Sequence, residues 1–403
     1  MKKYWKLLTI AIISVLVIST FYIQKAIANE SPMEFVLDTY SGDEAELEKL
    51  AISGWYQGQY NESFTITSDG IEYHSHDSLV EQLVRTYSPK TDQLIEGYRG
   101  FMRGKTMDLR QLYEDEKLLA FATVESDWDG QSRYNDHTFK IDVLQKGEKE
   151  RFTFKKTVPN QQDYNYMYVV DVQIKDGQLS IFTRNDIVSE KHADKFGQSD
   201  FRVYRFDIAS EKLISEDSLL YVEGQDGNKS FNGEIISAST PMSQTDYVVL
   251  KKTEYVETQS EFGEMNTEET GKEYMLYNLS TMEKKELNIP EEMSMGSEVY
   301  SEFMLGTSIY FIHRTQDGLA VKSYNINDQQ KNEFTIELPN DEGDTPSVIA
   351  KGERIYIMGG GLNEVPIMVY NAQTGQSLYE GTYKLEGKQV QDSFISVDGI
   401  FVD

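Results

Sequence analysis

The chain of 403 residues contains no cysteine and has few basic residues for its length. The absence of cysteine excludes disulfides, thiolate metal sites, cysteine nucleophiles and acyl anchoring through a lipobox cysteine. The 39 lysine and arginine residues are outnumbered by 67 acidic residues, so the formal net charge is −28. Because affinity for phosphate backbones comes mainly from lysine and arginine, this charge argues against nucleic acid as a partner. Apolar and aromatic residues make up 39% of the chain, which together with glycine is typical of a globular protein.

Common catalytic signatures are also missing. The sequence has neither the G-x-S-x-G motif of serine hydrolases nor the H-E-x-x-H motif of zinc proteases. Gly359, Gly360 and Gly361 follow a strand-like segment, but neither a helix pattern nor a Lys-Ser/Thr pair comes after them, as a phosphate loop requires. We interpret the three glycines as a flexible connection.

Residues 1–28 carry the pattern of an export segment. Lys2, Lys3 and Lys6 precede 17 uncharged residues at 7–23, and Ala26 and Ala28 form a small-x-small cleavage pattern. A signal peptide has these parts, whereas a membrane anchor needs roughly 17–25 apolar residues. The segment is therefore a signal peptide or a membrane anchor, and either one exports the rest of the chain. We expect an extracytoplasmic protein of a bacterial cell envelope, membrane-anchored or secreted.

After residue 110 the sequence shows short apolar alternations separated by turn residues, which is typical of an all-β chain. A repeat is evident at an offset of 46 residues: Tyr310 corresponds to Tyr356, and Tyr324 corresponds to Tyr370. Four short strands in a repeat of this length have the size of one β-propeller blade.

Looser copies of the repeat lie upstream, at Tyr277, Tyr204 and Phe139. Counting copies predicts a β-propeller of about seven four-stranded blades, with six or eight blades, or a pair of β-sandwiches, as alternatives. The chain ends in segments 394–397 and 399–402, which look like the first two strands of another copy, and two strands with a bare edge invite aggregation. We expect segments 54–58 and 63–67 to supply the missing strands. N- and C-terminal strands would thus close one propeller domain over residues 54–403.

In these features the chain resembles bacterial extracytoplasmic β-propeller proteins. The resemblance covers residues 110–403 and rests on the spacing of the repeat and on its tyrosine and isoleucine pattern. It implies a fold, without a specific family and without a particular activity.

The segments outside the repeat have their own predictions. Residues 29–53 are expected to be a linker and a short helix, because residues 41–50 combine an N-cap candidate with acids in the first turn. Residues 78–87 and 91–103 allow a helical decoration between the first two blades. Seven acids fall within residues 253–273, between the second and third strands of one blade. This insertion is either a solvated hairpin extension or a docking arm for a basic partner.

One segment is similar to a calcium-binding loop. Residues 125–136 place Glu125, Asp127, Asp129 and Asp136 at loop positions 1, 3, 5 and 12, with Gly130 at position 6. The usual pattern is D-x-[DN]-x-[DN]-G-x5-E, so glutamate at position 1 and aspartate at position 12 are departures. The alternatives are a calcium site, with calcium as the cofactor, and a plain β-turn.

Two further groups of side chains are candidates for binding. His74 and His76 alternate along a strand and so share one face, where they could hold a metal with a third ligand that the sequence does not mark. Trp55, Trp128 and Tyr134 could line a surface on which sugars stack, or could fill the packing between blades.

Two functions follow from these features. The favoured one is non-catalytic: an exported, membrane-tethered propeller that serves as a binding, sensing or accessory module for a protein or cell-wall ligand. The alternative is a calcium-dependent propeller enzyme, such as a lactonase-like hydrolase or a sugar lyase. The enzyme would need three or more acidic or histidine side chains to converge at one mouth of the central channel.

Overall fold

The computed structural model describes most of the chain after residue 33. The described residues are 9, 12–13, 19–20, 34–57, 61–74, 86, 88–105, 107–128, 130, 134–148, 150–188, 197–236, 238, 242, 244–259, 265–295, 299–338, 346–386 and 394–402. Within them, no helix is long and apolar enough to cross a membrane. Apart from five helical residues, the predicted signal peptide or membrane anchor lies outside the described residues.

Strands dominate the described residues. In chain order they are β1 (Glu34–Gly42), β2 (Leu50–Gln57), β3 (Asn61–Thr67), β4 (Gly70–Tyr73), β5 (Leu112–Glu114), β6 (Leu118–Trp128), β7 (Tyr134–Gln145), β8 (Arg151–Thr157), β9 (Tyr164–Lys175), β10 (Gln178–Ile187), β11 (Ser199–Asp207), β12 (Lys212–Val222), β13 (Lys229–Ile236), β14 (Tyr247–Gln259), β15 (Met265–Asn278), β16 (Lys284–Leu287), β17 (Val299–Leu305), β18 (Ser308–Thr315), β19 (Gly318–Asn325), β20 (Lys331–Glu337), β21 (Ser347–Lys351), β22 (Arg354–Met358), β23 (Gly361–Leu362), β24 (Glu364–Asn371), β25 (Ser377–Glu386) and β26 (Phe394–Val402).

Helices are short. They are α1 (Pro89–Gly97), α2 (Arg99–Met102) and α3 (Glu291–Ser294), with 3-10 turns at Glu44–Leu47, Leu109–Gln111 and Gln161–Asp163. The Ser88 hydroxyl accepts a hydrogen bond from the Thr91 amide, and Pro89 opens α1, which are both usual at a helix start. The helix expected near residue 44 is a single 3-10 turn capped by the Asp43 side chain.

The strands form six antiparallel sheets. Sheet 1 has the order β23-β26-β2-β3-β4, sheet 2 is β5–β8, sheet 3 is β9–β12, sheet 4 is β13–β16, sheet 5 is β17–β20, and sheet 6 has the order β21-β22-β24-β25-β1. The predicted count of about seven blades is not confirmed, because the described residues form six sheets. The acidic insertion of residues 253–273 extends the β14–β15 hairpin of sheet 4.

Neighbouring sheets share hydrophobic cores, so that the six sheets follow one another in a series. Five cores join sheets 2 and 3, 3 and 4, 4 and 5, 5 and 6, and 6 and 1. Alternate residues of one strand enter different cores: Val248 and Leu250 pack toward sheet 3, and Val249 packs toward sheet 5. A strand that is buried on both faces needs apolar residues at successive positions, which explains the short apolar runs of the sequence.

The repeated tyrosines have a common place in these cores. Tyr204, Tyr277, Tyr324 and Tyr370 all lie in the third strand of their sheets, and each is buried in the core that its sheet shares with the preceding one. Phe139 also lies in a third strand, but it packs toward the following sheet. The loosest copy of the repeat therefore lies in the same strand of its sheet as the others, but its aromatic side chain packs against the opposite neighbouring sheet.

Sheet 1 combines both ends of the described chain. The C-terminal strand β26 pairs with β2, and β2 pairs with β3. Segments 394–397 and 399–402 were expected to be two strands, and this prediction is wrong: they are one strand, in which Asp398 is the extra residue of a bulge opposite Ser53 and Gly54. The expected linker of residues 29–53 contains β1, which adds to the outer edge of sheet 6 by pairing with β25.

Candidate functional site

Four aromatic side chains form a continuous row across sheets 2 and 3. Trp128 and Tyr134 are cross-strand partners in the β6–β7 hairpin, with ring centroids 4.8 Å apart. Tyr134 lies 5.4 Å from Tyr166 of β9, and Tyr166 lies 5.7 Å from Tyr168. We call these four residues the aromatic row. Trp128 is 52% exposed and Tyr166 is 42% exposed, so the row is a surface feature.

Strand alternation explains why the row faces solvent. Met167 and Val169 alternate with Tyr166 and Tyr168 along β9 and are buried in the core between sheets 2 and 3. Because successive side chains of a strand point to opposite faces, the two tyrosines lie on the other face. The Tyr134 amide donates a hydrogen bond to the side-chain oxygen of Asn165, at 3.3 Å, which ties the hairpin to β9.

Charged groups lie at the Tyr168 end of the row. The Arg184 guanidinium is 6.0 Å from the centre of the Tyr168 ring and forms an ion pair with Asp186 at 3.5 Å. Burial raises the pKa of the Tyr168 hydroxyl and also that of the Asp186 carboxyl, which Arg184 partly offsets. The surface therefore combines apolar ring faces, hydroxyl groups and a partly buried ion pair.

The predicted calcium loop is the β6–β7 hairpin that carries Trp128 and Tyr134. The Glu125 carboxylate is bound by Lys155 at 2.5 Å and by Lys140 at 3.1 Å, and these hydrogen bonds lower its pKa. Asp127 lies opposite Asn135 in the hairpin, and Asp136 has a φ of 52°. Asp129 lies outside the described residues, so calcium at this loop stays a prediction.

The histidines are separated in the structure. His74 exchanges a hydrogen bond with the Thr65 hydroxyl at 3.0 Å, and His76 lies outside the described residues. His137 is buried between the Ser126 hydroxyl and the Tyr164 carbonyl, and His313 contacts the Met293 carbonyl. In the part of the chain that the structure describes, no three histidine or acidic side chains are grouped so that they could hold a metal.

The sequence indicated only half of the aromatic row. Trp128 and Tyr134 were named together with Trp55, but Trp55 lies in β2 of sheet 1 and is not part of the row. Tyr166 and Tyr168 were missed. The available signal was a tyrosine at every second position of residues 164–168, with Asn165 and Met167 between them.

Comparisons with known proteins gave matches to solved structures only. No protein-family model matches the chain, and no curated protein matches it. Its structural neighbours are β-propeller proteins at low sequence identity. The β-propeller domain of the Trilobed protease from Pyrococcus furiosus is 11% identical, with 90% of this chain and 99% of that chain covered and a TM-score of 0.31.

Two further solved structures are similar in the same way. The Dos1 propeller is 12% identical, with 68% of this chain and 56% of that chain covered and a TM-score of 0.29. An uncharacterized protein of Listeria monocytogenes is 7% identical, with 70% of this chain and 68% of that chain covered and a TM-score of 0.36. These neighbours agree with the fold-level resemblance, and they indicate no activity for this chain.

Proposed function

We propose that this protein is a non-catalytic binding module of the bacterial cell envelope, and that the aromatic row binds a glycan of the cell wall. The observation that carries the proposal is the exposure of Trp128 and Tyr166 within a continuous row of four rings. Soluble proteins seldom expose contiguous apolar surface without a use for it. We further infer that the six sheets are the blades of a six-bladed propeller.

A glycan fits the chemistry of the row better than a purely apolar ligand does. Sugar rings have apolar C–H faces that can pack on aromatic rings, and their hydroxyl groups need polar partners. Tyrosine and tryptophan supply both an apolar ring and a hydrogen-bonding group. Exposed Asp136 and the Arg184–Asp186 ion pair are polar groups on the same two sheets.

The location is part of the same proposal. The basic and apolar pattern of residues 1–28 supports export, with either membrane attachment or secretion. Immunoblotting of the membrane, wall and medium fractions tests it, since retention of the whole protein in the cytoplasm would contradict export.

Cosedimentation of the full-length protein with purified insoluble peptidoglycan tests the ligand. Trp128→Ala and Tyr166→Ala should each weaken binding about tenfold, because each removes exposed aromatic contact area from the row. Tyr40→Ala is the matched control, since Tyr40 is 59% exposed but lies in β1 of sheet 6. Equal binding by all four proteins would refute the proposal.

Salt dependence separates a glycan from a basic protein ligand. Stacking on a neutral sugar should change little between low and moderate ionic strength, whereas attraction of a cationic peptide to this acidic chain should weaken as salt screens the charges. Binding of polylysine in place of peptidoglycan, with a steep loss in salt, would identify a basic partner and overturn the glycan.

A further inference from the structure

A cavity of about 440 Å³ lies where four sheets meet, away from the residues of the aromatic row. Its walls come from β2, β3 and β26 of sheet 1, β5 of sheet 2, β21 of sheet 6 and the β13–β14 connection of sheet 4, together with α1. This volume is within the usual range for small-molecule sites.

The charge of this cavity is opposite to that of the whole protein. Lys49, Lys90 and Lys351 line it, and Glu114 is the one acid among its described lining residues. The negative charge of Glu114 is shared, because its carboxylate pairs with Lys90 at 2.9 Å and with Lys146 at 2.6 Å. In a chain with a net charge of −28, a local excess of lysine is unexpected from composition alone.

The lysines differ in how they are held. Lys351 donates a hydrogen bond to the Val402 carbonyl at 2.7 Å, which fixes its side chain beside β26. Lys49 is exposed, and among the described residues it forms no ion pair. Lys49 is therefore the cation that can approach a ligand at the smallest cost in existing contacts.

The remaining wall is mostly apolar, with Thr67, Gln93 and Gln244 as its polar residues. Its apolar residues include Ala51, Leu109, Met242, Phe401 and Val402. Phe401 also packs against the core that α1 and α2 share with sheet 2. A ligand that fits this lining has one anionic group for the lysines and a compact apolar body for the apolar residues. Simple phosphate would leave the apolar wall unused, and a neutral hydrocarbon would leave the lysines unused.

We propose that this cavity binds a small organic carboxylate, with the carboxylate beside Lys49 and Lys351 and the apolar body against Met242 and Phe401. The site shares no residue with the aromatic row, so it would add a second ligand to a surface-binding module. A bound carboxylate would stabilise the meeting point of β21 and β26.

Isothermal titration of the full-length protein with benzoate, and with its neutral isostere benzamide, tests the proposal. Benzoate should bind about tenfold more tightly than benzamide, because only benzoate forms charge-assisted hydrogen bonds. Equal affinities for the two compounds, or no binding of benzoate at concentrations up to about 10 mM, would overturn it.

A charge variant locates the binding to the cavity. Lys49→Gln should weaken benzoate binding about fivefold and leave benzamide unchanged, since it removes one partly solvated charge contact. Lys212→Gln is the control, because Lys212 is also exposed but lies in β12 of sheet 3. If Lys49→Gln and Lys212→Gln bind benzoate as the parent does, the carboxylate site is not in this cavity.

Discussion

Strand β7 packs against two neighbours in different ways, and the contrast shows how a regular repeat accommodates an irregular insertion. On one face, Phe139 and Ile141 enter an apolar core shared with sheet 3, where Phe139 lies 4.8 Å from the Tyr204 ring. On the other face, Asp142 points to the segment of α1 and α2 and binds Lys105 at 2.5 Å. The first contact is an apolar core of the kind that also joins other neighbouring sheets, whereas the second combines an ionic cluster with apolar contacts to α1 and α2.

The second contact includes an ionic cluster. The Asp142 carboxylate also accepts hydrogen bonds from the Arg151 guanidinium at 2.7 Å and from the Thr153 hydroxyl at 3.0 Å. Lys105 donates to the Phe101 carbonyl as well, and its ammonium lies 3.7 Å from the Phe101 ring. The helices are thus fixed to sheet 2 by one satisfied carboxylate in addition to the apolar contacts of Phe101 and Met102.

The apolar face should give the largest effect on stability. Phe139→Ala removes a fully buried ring and is expected to lower the free energy of unfolding by about 3–5 kcal/mol. Guanidinium chloride unfolding of the full-length protein measures this loss, with exposed Tyr221→Ala in sheet 3 as the control. A loss under about 1 kcal/mol would show that the core between sheets 2 and 3 can relax around the cavity.

The ionic face should give a somewhat smaller effect that is localised. Asp142→Asn leaves Lys105 and Arg151 without their shared carboxylate, which is expected to cost about 2–4 kcal/mol. Hydrogen exchange should then accelerate in α1 and α2 more than in β9 and β10. Uniform acceleration across all of these elements would contradict a localised role for the carboxylate.

The pH dependence of this contact has a defined sign. Burial opposes ionisation of Asp142, but the hydrogen bonds from Arg151 and Lys105 outweigh it and lower its pKa below 3.8. The stabilisation is therefore present above the unfolded-state pKa and is lost as the pH falls through the folded-state pKa. Asp142→Asn should remove this part of the acid sensitivity.

Asp171 of β9 gives a pH dependence of stability with the opposite sign. Its effect on stability is the third in size. Its carboxyl is buried without a cationic partner among the described residues and accepts hydrogen bonds from the Gln173 amide and the Val172 amide. Burial raises the pKa of Asp171 from 3.8 to about 6. The stabilisation is present below the unfolded-state pKa and is lost as the pH rises through about 6.

Asp171→Asn should therefore flatten the fall in stability between about pH 4 and about pH 7 by up to about 3 kcal/mol. Chemical unfolding at a series of pH values measures this change. If the parent protein loses no stability over that interval, the Asp171 carboxyl does not titrate as its burial indicates.

The regular and irregular contacts also differ in how far the sequence predicted them. The all-β class and the β-propeller fold were predicted because the tyrosines of the repeat recur at a regular spacing in the sequence. In the structure these tyrosines occupy equivalent cores. The bulge at Asp398 was missed because its Asp-Gly pair is also the commonest signal of a hairpin turn. The Asp142–Lys105 contact joins residues 37 positions apart with no periodic signal, so it could not be predicted from spacing.

The candidate site likewise contains residues that the sequence predicted and residues that it did not. Trp128 and Tyr134 are close in sequence, and a hairpin brings them together, so they could be named in advance. Tyr166 and Tyr168 join them only through the packing of sheet 3 beside sheet 2, which sequence spacing does not encode. The cavity with three lysines combines residues from positions 49 to 402 and has no local signature at all.

The smallest expected effect is that of calcium at the β6–β7 hairpin, where charge is already balanced by lysine. If calcium binds residues 125–136, it must replace Lys140 and Lys155 at Glu125, so the net gain should be small. We expect saturating calcium to raise the melting temperature of the parent by about 1–3 °C, and Asp129→Ala to abolish this rise. Magnesium is the control ion, because it dehydrates reluctantly and should give no comparable shift. Without any shift in the parent protein, the hairpin is a plain turn, and its function is to position Trp128 and Tyr134.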